Sequence, residues 1–275
     1  MSDLIALTRE ISPAITQCEL THLPRAPVDV DVARAQHRAY EQCLAEAGCA
    51  VVRVGAGPEM ADSVFVEDIA VVFDEVAIVT RPGAHSRRRE TPAVAEALAR
   101  YRGLQHIEAP ATADGGDVLV VGRKVFVGGS SRTNAAAIDQ IRRFLGPYGY
   151  TVVGVGVSGC LHLKSAVTRV ADDRLLINRN WISIEPFSTF DLIDVHPDEP
   201  NGANALRVGG EVVYATSFPR TRERLVQSGL CLRSVDVSEI AKAEGALTCC
   251  SLVFAACDDG FMTKTGRARK IHEVF

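Results

Sequence analysis

A cysteine near the end of the chain has the surroundings that most favour chemistry. Cys249 follows the turn-like pair Glu244 and Gly245 and precedes a short apolar run typical of a buried strand. A cysteine at the mouth of a core strand is held firmly, with its sulfur near a surface that a substrate can reach. The alternative is packing, because free thiols are among the most buried side chains. A role as nucleophile therefore depends on partners elsewhere in the chain.

The proton-transfer partner that we predict for this cysteine is His162. A thiolate is the attacking species, and a free thiol is mostly protonated near neutral pH. An imidazole titrates in that range and can return the proton to a leaving group. Asp114 is the candidate that orients His162, and Gly115 and Gly116 after it permit close backbone approach. A buried core histidine and a simple Asp-Gly turn are the alternatives.

Three acids upstream indicate a cationic substrate. Glu67 and Asp68 interrupt an apolar series, and because burying bare carboxylates is costly, they need cationic partners. Internal arginines could supply the cation, or a substrate guanidinium could pair with these two acids and Asp62. A substrate cation beside the thiol would also favour the thiolate. Arg87 and Arg132 are candidates to clamp an α-carboxylate, although Arg87 lies in a run of three arginines typical also of a solvated cluster.

These residues are attached to a recurring strand–turn–strand–helix–strand unit. Hairpins are predicted at 69–80, 118–127, 165–178 and 204–215, and a strand at 250–255 begins a last unit that the N-terminal strand and helix complete. The unit recurs about five times at roughly 40–50 residues, which favours a closed repeat architecture over an ordinary mixed sheet. Residues 181–190 make the third unit irregular, since they favour a loop over a full helix. Helices are predicted from Asp29 or Asp31 to about residue 47, after Thr91 as N-cap, and at 133–145.

The candidate site residues share one position in this repeat, just before the first strand of a unit. Loops at that position converge at one end of a closed array. The residues are Asp62, Glu67, Asp68, Asp114, Asp117, His162, Lys164, Asn204, Thr248 and Cys249.

Composition limits the classes of function. The 275 residues suit one large domain or two small ones. A net charge of −4 with interspersed signs argues against nucleic acid or an anionic membrane as a partner. The start lacks a signal-peptide pattern, and no apolar run approaches the roughly 20 residues that cross a bilayer. The eight cysteines include no C-x-x-C pair, which favours reduced thiols in a cytoplasmic protein.

Six motifs in order resemble the dimethylarginine dimethylaminohydrolase family of the guanidino-modifying (amidinotransferase, pentein) superfamily. They are SVFVED at 63–68, TRPGA at 80–84 with SRR at 86–88, DGGD at 114–117, RTN at 132–134, LHLK at 161–164 and TCCS at 248–251. The resemblance implies an α/β fold, a five-bladed pseudo-symmetric α/β propeller, over a single catalytic domain of residues 1–275. A polar tail from about residue 256 has no clear counterpart, and its composition favours disorder.

The resemblance also implies a role for each matching residue. Cys249 matches the nucleophile, His162 the proton donor, and Asp114 the acid paired with that histidine, which in some relatives is glutamate. The residues that match substrate-binding positions are Leu20 in a lid, Asp62, Glu67, Asp68, Arg87, Arg132 and Ala243, the last through its backbone carbonyl. Glu244 departs from the pattern, because relatives carry aspartate there.

The implied reaction is hydrolysis of Nω-methylated arginines to citrulline through a covalent thiouronium on Cys249. It needs no cofactor and no metal, and Zn²⁺ on Cys249 and His162 would act only as an inhibitor. A small guanidino compound is the expected partner, and a homodimer is left open. The alternatives are an arginine deiminase, a hydrolase of another substituted guanidine, and a non-catalytic protein that binds arginine analogues.

Overall fold

The computed structural model describes residues 4–256 as an α/β fold with five three-stranded sheets. In the first four sheets, an antiparallel hairpin is followed by a third strand parallel to the hairpin's second strand. Their strands are β3 (Ala70–Val72), β4 (Val76–Val79) and β5 (Gly103–His106); β6 (Val118–Val121), β7 (Lys124–Gly129) and β8 (Thr151–Gly156); β9 (Val167–Arg169), β10 (Arg174–Ile177) and β11 (Asp191–Asp194); β12 (Leu206–Val208), β13 (Glu211–Ala215) and β14 (Cys231–Val235). The repeat predicted from the sequence is confirmed. Most of the tail predicted from residue 256 lies outside the described residues.

The fifth sheet joins the two ends of the described chain. β15 (Leu252–Ala255) pairs antiparallel with β1 (Leu4–Thr8), which pairs parallel with β2 (Cys49–Arg53). The last unit is therefore completed by the N-terminal strand and helix, as predicted. This pairing fixes the segment before β15, which carries Cys249, against the start of the chain.

Helices connect the second and third strands of most sheets. They are α1 (Val30–Glu46), α2 (Thr91–Leu98), α3 (Ala135–Leu145) and α5 (Pro219–Gln227). Two single turns, α4 (Leu163–Ala166) and α6 (Ser238–Ala241), lie instead before the first strands β9 and β15. None of the described helices is long and apolar enough to cross a bilayer. The Asp29 side chain accepts the backbone N–H groups of Asp31 and Val32, so Asp29 is the N-cap of α1.

Two local predictions were wrong. Thr91 is the first residue of α2 and not its N-cap, because the preceding Glu90 is already helical and the Thr91 hydroxyl donates to the Arg88 carbonyl. The strand predicted from residue 165 begins only at β9, because α4 turns the chain first. The backbone N–H of Leu163 donates to the buried Asp117 carboxylate, which stabilises the start of that turn. The third unit is irregular as predicted, with a short 3-10 turn at Glu185–Phe187.

The first strands of all five sheets line one cavity of about 420 Å³. β3, β6, β9, β12 and β15 each contribute residues to its wall. Apolar clusters fill the space between neighbouring sheets and helices, and β4 is buried at all four of its residues. Glu67, Lys164 and Thr248 lie at this cavity's wall, which links it to the site described next.

Candidate active site

A second, much smaller cavity of about 20 Å³ brings together most of the predicted site residues. They are Asp62, Asp68, Arg87, Asp114, Arg132, His162, Ala243 and Cys249. Leu20 and Glu67 do not line it. Four further residues do, although the sequence did not mark them as binding residues: Glu19, Phe65, Leu161 and Glu244.

Cys249 lies in a 3-10 turn, Thr248–Cys250, directly before β15. Its backbone N–H donates to the Ala246 carbonyl at 3.2 Å, and its side chain is a free, partly buried thiol. Thr248 is fixed by Asn204 through two hydrogen bonds of 3.0 and 3.1 Å. The neighbouring Cys250 is buried in an apolar cluster. The turn therefore presents one cysteine to the cavity and uses the other for packing.

The thiol is protonated in this environment. Burial raises the pKa of Cys249 well above its usual value, and the negative charges of Glu67 and Asp68 raise it further. No cationic side chain counters this effect among its principal causes. A cation bound in the cavity would reverse the field and favour the thiolate.

His162 lies between two buried carboxylates. Its Nε2 is 3.2 Å from Oδ2 of Asp114, and its Nδ1 is 3.8 Å from Oδ1 of Asp68. Burial alone lowers the pKa of His162, but the charge of Asp68, the hydrogen bond to Asp114 and the charge of Asp117 outweigh it and raise the pKa to about 9. The imidazole is therefore a cation at neutral pH and carries a proton that it can donate.

Two neighbouring residues position His162. Asp117 is fully buried and accepts from Leu163 N–H at 2.9 Å, which anchors the residue after the histidine. Gly116 lies against the imidazole, where an added Cβ would be 2.6 Å from Nδ1 of His162 and 2.8 Å from Oδ1 of Asp68. Any larger residue at Gly116 would displace the pair. The sequence marked Asp117 by its place in the repeat but gave no sign that its carboxylate accepts the Leu163 backbone N–H.

Asp114 is held from its other side by the turn that contains Gly83. Its Oδ1 accepts the Gly83 N–H at 2.9 Å, and its own backbone N–H donates to the Thr133 hydroxyl at 3.1 Å. An added Cβ at Gly83 would be 2.6 Å from the Arg132 backbone. The TRPGA and RTN motifs are thus in contact, and together they fix the carboxylate that faces His162.

Arg87 is an internal partner of the acids. Its guanidinium pairs with Asp68 at 2.5 Å and with Glu90 at 2.9 Å, and it also donates to the carbonyls of Asp62 and Phe65. All these groups are buried or part-buried in the same wall. Of the alternatives left open by the sequence, an internal arginine therefore satisfies Asp68. Although burial raises the pKa of Asp68, the charges of His162 and Arg87 hold it below its usual value.

Glu67 is satisfied by a lysine. Lys164 Nζ is 2.5 Å from Oε1 of Glu67, and the Thr248 hydroxyl donates to Oε2 at 2.7 Å. This network lies beneath the turn that carries Cys249, and Glu67 does not reach the small cavity. The structure therefore places Glu67 behind Cys249.

Asp62 faces the loop that contains Leu20. Both of its carboxylate oxygens lie 3.2 Å from the Glu19 backbone nitrogen. Burial raises the pKa of Asp62 to about 6, in spite of the opposing charge of Arg87 and this hydrogen bond. Arg132 also contacts the loop, since its Nη2 donates to the Thr21 hydroxyl at 3.0 Å. The predicted lid is therefore in contact with two predicted substrate-binding residues.

Glu244, which the sequence marked only as a departure from the family pattern, contacts the loop at residues 21–23. Its carboxylate accepts backbone N–H groups from Thr21, His22 and Leu23 at 2.5–3.1 Å. Glu244 has a φ of 56°, a left-handed conformation that costs a non-glycine residue on the order of 1–2 kcal/mol. Such strain persists where the surroundings hold it, often at functional sites.

The acids and the histidine also form a cluster of potential metal ligands. Asp68, Asp114 and His162 each place one such atom within 4.8 Å of the others. A histidine must be neutral to bind a metal, and the same carboxylates hold His162 protonated near neutral pH. The arrangement favours a proton over a metal ion.

Comparison with known proteins identifies the family. A family model described as N,N dimethylarginine dimethylhydrolase, eukaryotic, matches residues 26–185. The chain is 41% identical to an N(G),N(G)-dimethylarginine dimethylaminohydrolase of Streptomyces coelicolor over 90% of this chain and 95% of that protein. It is 36% identical to one of Pseudomonas aeruginosa over 82% and 90%, respectively.

Solved structures are similar as well. A mutant of the Pseudomonas aeruginosa enzyme complexed with citrulline has a TM-score of 0.87 and 31% identity, covering 92% of this chain and all of that chain. A mutant dimethylarginine dimethylaminohydrolase in an adduct with S-methyl-L-thiocitrulline matches with the same TM-score at 32% identity. An arginine dihydrolase domain from cyanobacteria, at 18% identity and a TM-score of 0.83, shares the fold. The chain belongs to the dimethylarginine dimethylaminohydrolase family and is a hydrolase.

Proposed function

We propose that the protein hydrolyses Nω-methylated arginines to citrulline and a methylated amine by covalent catalysis at Cys249. One observation carries the proposal: the Cys249 thiol and the Asp114–His162–Asp68 cluster line the same small cavity. Relatives of 41% and 36% identity have this activity in their names, and the Pseudomonas structure contains the product citrulline.

In the first half of the reaction, the substrate guanidinium enters between the acids and Cys249. Its positive charge lowers the pKa of the thiol, which loses its proton to solvent. The thiolate attacks the guanidinium carbon and forms a C–S bond. The His162 imidazolium then donates its proton to the methylated nitrogen, the C–N bond breaks, and the amine leaves. A thiouronium cation remains on Cys249.

In the second half, His162 has become neutral and takes a proton from water. The resulting hydroxide attacks the thiouronium carbon and the C–S bond breaks. The added hydroxyl loses its proton to solvent, neutral citrulline leaves, and the sulfur takes a proton back from solvent to restore the resting thiol. Asp68 and Asp114 stabilise the positive charge on His162 and on the substrate throughout. The pKa of about 9 suits the first proton transfer, since nearly all of the enzyme starts with the acid form of His162.

The amino-acid end of the substrate faces Asp62, Arg132 and Ala243. The Asp62 carboxylate and the Ala243 carbonyl are acceptors for the α-amine, and Arg132 is the donor for the α-carboxylate. Arg87 contributes less directly than expected from the sequence, because three of its nitrogens already donate to protein acceptors. We assign Leu20, which follows the Glu19 contact with Asp62, to the lid over this end, although its side chain does not line the cavity.

The experiment that tests the proposal is citrulline release from asymmetric dimethylarginine, monomethylarginine and arginine. Turnover of the methylated substrates by the native protein, and its loss in Cys249→Ser, is the expected result. Cys250→Ser is the matched control, since it makes the same change one residue away in the core and should remain active. Turnover of arginine alone would instead establish an arginine deiminase.

We also infer that the five sheets close into one five-bladed propeller domain. The cavity shared by the first strands of all five sheets supports closure, as do β15 and β1, which join the ends of the described chain. A small-angle scattering profile that fits an open, extended array would contradict it. A homodimer and a cytoplasmic location stay predictions.

A further inference from the structure

One loop beside the catalytic cavity has no backbone support of its own. We call residues 19–23 the cavity loop. Residues 19–28 make no backbone–backbone hydrogen bond within the described chain, and Thr21, His22 and Leu23 are exposed. The position of the cavity loop therefore depends on side chains that reach it from other segments.

Three cavity-lining side chains hold the cavity loop, and Glu244 holds it most extensively. Asp62 accepts one backbone N–H and Arg132 donates to one hydroxyl of the loop. Glu244 accepts three consecutive backbone N–H groups, with His22 and Leu23 each at 2.5 Å. Hydrogen bonds to an ionised carboxylate are about twice as strong as neutral ones. Glu244 is thus the principal contact that keeps the loop in place.

The base of Glu244 is rigid. Gly245 packs against Phe65 so closely that an added Cβ would be 2.2 Å from the phenyl ring. Phe65 itself is buried and lines the catalytic cavity. Glu244 therefore reaches from a fixed wall to a loop without internal support, and release of its bonds would move the loop.

The cavity is too small to accept a substrate in this arrangement. About 20 Å³ gives room for roughly one water molecule. We propose that Glu244 is a latch: its carboxylate holds the cavity loop closed over the site, and substrate enters when the three N–H bonds to it are released. The inference rests on the proposed function, because it assigns Glu244 the control of substrate admission for that reaction.

Hydrogen exchange in the unliganded protein tests the latch without any catalysis. The backbone N–H groups of residues 21–23 should be protected in the native protein. In Glu244→Gln their exchange should accelerate at least about tenfold, the factor expected for loss of one charge-assisted hydrogen bond. Glu244→Asp, which is shorter by one methylene, should give a smaller increase. If Glu244→Gln does not fold, the exchange rates of Glu244→Asp provide the test.

Rapid mixing with L-citrulline tests the effect on admission. The single tryptophan, Trp181, lines a cavity of about 220 Å³ together with His22, Leu23 and Glu244, so its fluorescence reports on the loop. Association with citrulline should be about tenfold faster in Glu244→Gln, because the loop is open more of the time. The matched control is Glu239→Gln. Glu239 lies on the neighbouring α6, accepts the backbone N–H of Asp29, and does not contact the cavity loop.

The outcomes separate the latch from the proposed function. Faster exchange and faster association in Glu244→Gln, with Glu239→Gln unchanged, would support the latch. Equal exchange at residues 21–23 in the native protein and both Glu244 variants would overturn it, even if methylarginine turnover is normal. Absence of turnover in the native protein would overturn the proposed function, whereas the exchange result would still decide whether Glu244 holds the loop.

Discussion

Replacing Asp114 by asparagine should reverse the hydrogen bond that keeps His162 protonated. Oδ1 of Asp114 accepts the Gly83 N–H at 2.9 Å, while Oδ2 faces His162 Nε2 at 3.2 Å. In Asp114→Asn the amide oxygen stays on Gly83, because only an oxygen can accept there. The amide NH₂ then faces Nε2, and that nitrogen must accept a hydrogen bond, which requires its unprotonated form.

The size of the effect follows from the hydrogen bond that is lost. A hydrogen bond to a charged group contributes about 1.5–3 kcal/mol, and 1.36 kcal/mol corresponds to about one pKa unit. The pKa of His162, about 9 in the native protein, should therefore fall by about 1–2. Asp68 still faces Nδ1 at 3.8 Å and Asp117 stays in place. These two carboxylates should therefore still raise the pKa of His162 against the effect of burial.

The sign of the pH dependence is fixed by the same shift. The pKa of His162 rises from 6.5 in the unfolded chain to about 9 in the folded protein. Its stabilising contribution is fully present below pH 6.5 and is lost as the pH rises through 9. In Asp114→Asn the loss should occur at a lower pH.

An NMR titration of labelled histidine measures this pKa directly, without substrate. The chain has seven histidines, so the His162 signal is assigned by its absence in His162→Gln. Asp139→Asn is the control, because Asp139 is an exposed carboxylate paired with Arg142 on α3. An unchanged His162 pKa in Asp114→Asn would refute the reasoning.

Two further predictions concern the buried charges and the thiol. Lys164→Met should leave the buried Glu67 carboxylate without its cation and lower the free energy of unfolding by about 3–5 kcal/mol. The melting temperature should fall by roughly 10 °C. Adding Glu67→Gln to Lys164→Met should recover most of this loss, because no buried charge is then left unpaired. Alkylation of Cys249 by a neutral haloacetamide should be slow at pH 7 and accelerate above pH 9, because the pKa of the thiol is raised. At pH 7 a cationic haloamidine should react faster than the neutral reagent. Equal rates for the two reagents at pH 7 would contradict the raised thiol pKa.

The repeat could be predicted because its signals are local. Short β-rich runs separated by tight polar turns mark each hairpin, and all four predicted hairpins are present. The start of β9 could not be placed, because the turn before it depends on a contact between Leu163 and Asp117, which are 46 residues apart. Thr91 satisfied the sequence pattern of an N-cap, but a 3-10 helix at His85–Glu90 directly precedes it, so Thr91 is already inside the helical segment.

The sequence predicted which residues belong to the site better than it predicted which side chains pair with them. Carboxylates in an apolar series signalled that cations were needed, yet the sequence could not say whether a substrate or the protein supplies them. The structure supplies Arg87 for Asp68 and Lys164 for Glu67. The contact between Glu244 and the cavity loop joins segments more than 220 residues apart, so neither periodicity nor a motif could reveal it.

The covalent intermediate is the central claim, and its mass tests it most directly. The native protein is mixed with asymmetric dimethylarginine, quenched in acid during turnover and analysed by intact mass and peptide mapping. The account predicts an adduct equal to the substrate less dimethylamine, attached to Cys249 and absent from the adjacent Cys250. Turnover to citrulline with no adduct on Cys249, or with the adduct on another residue, would contradict it.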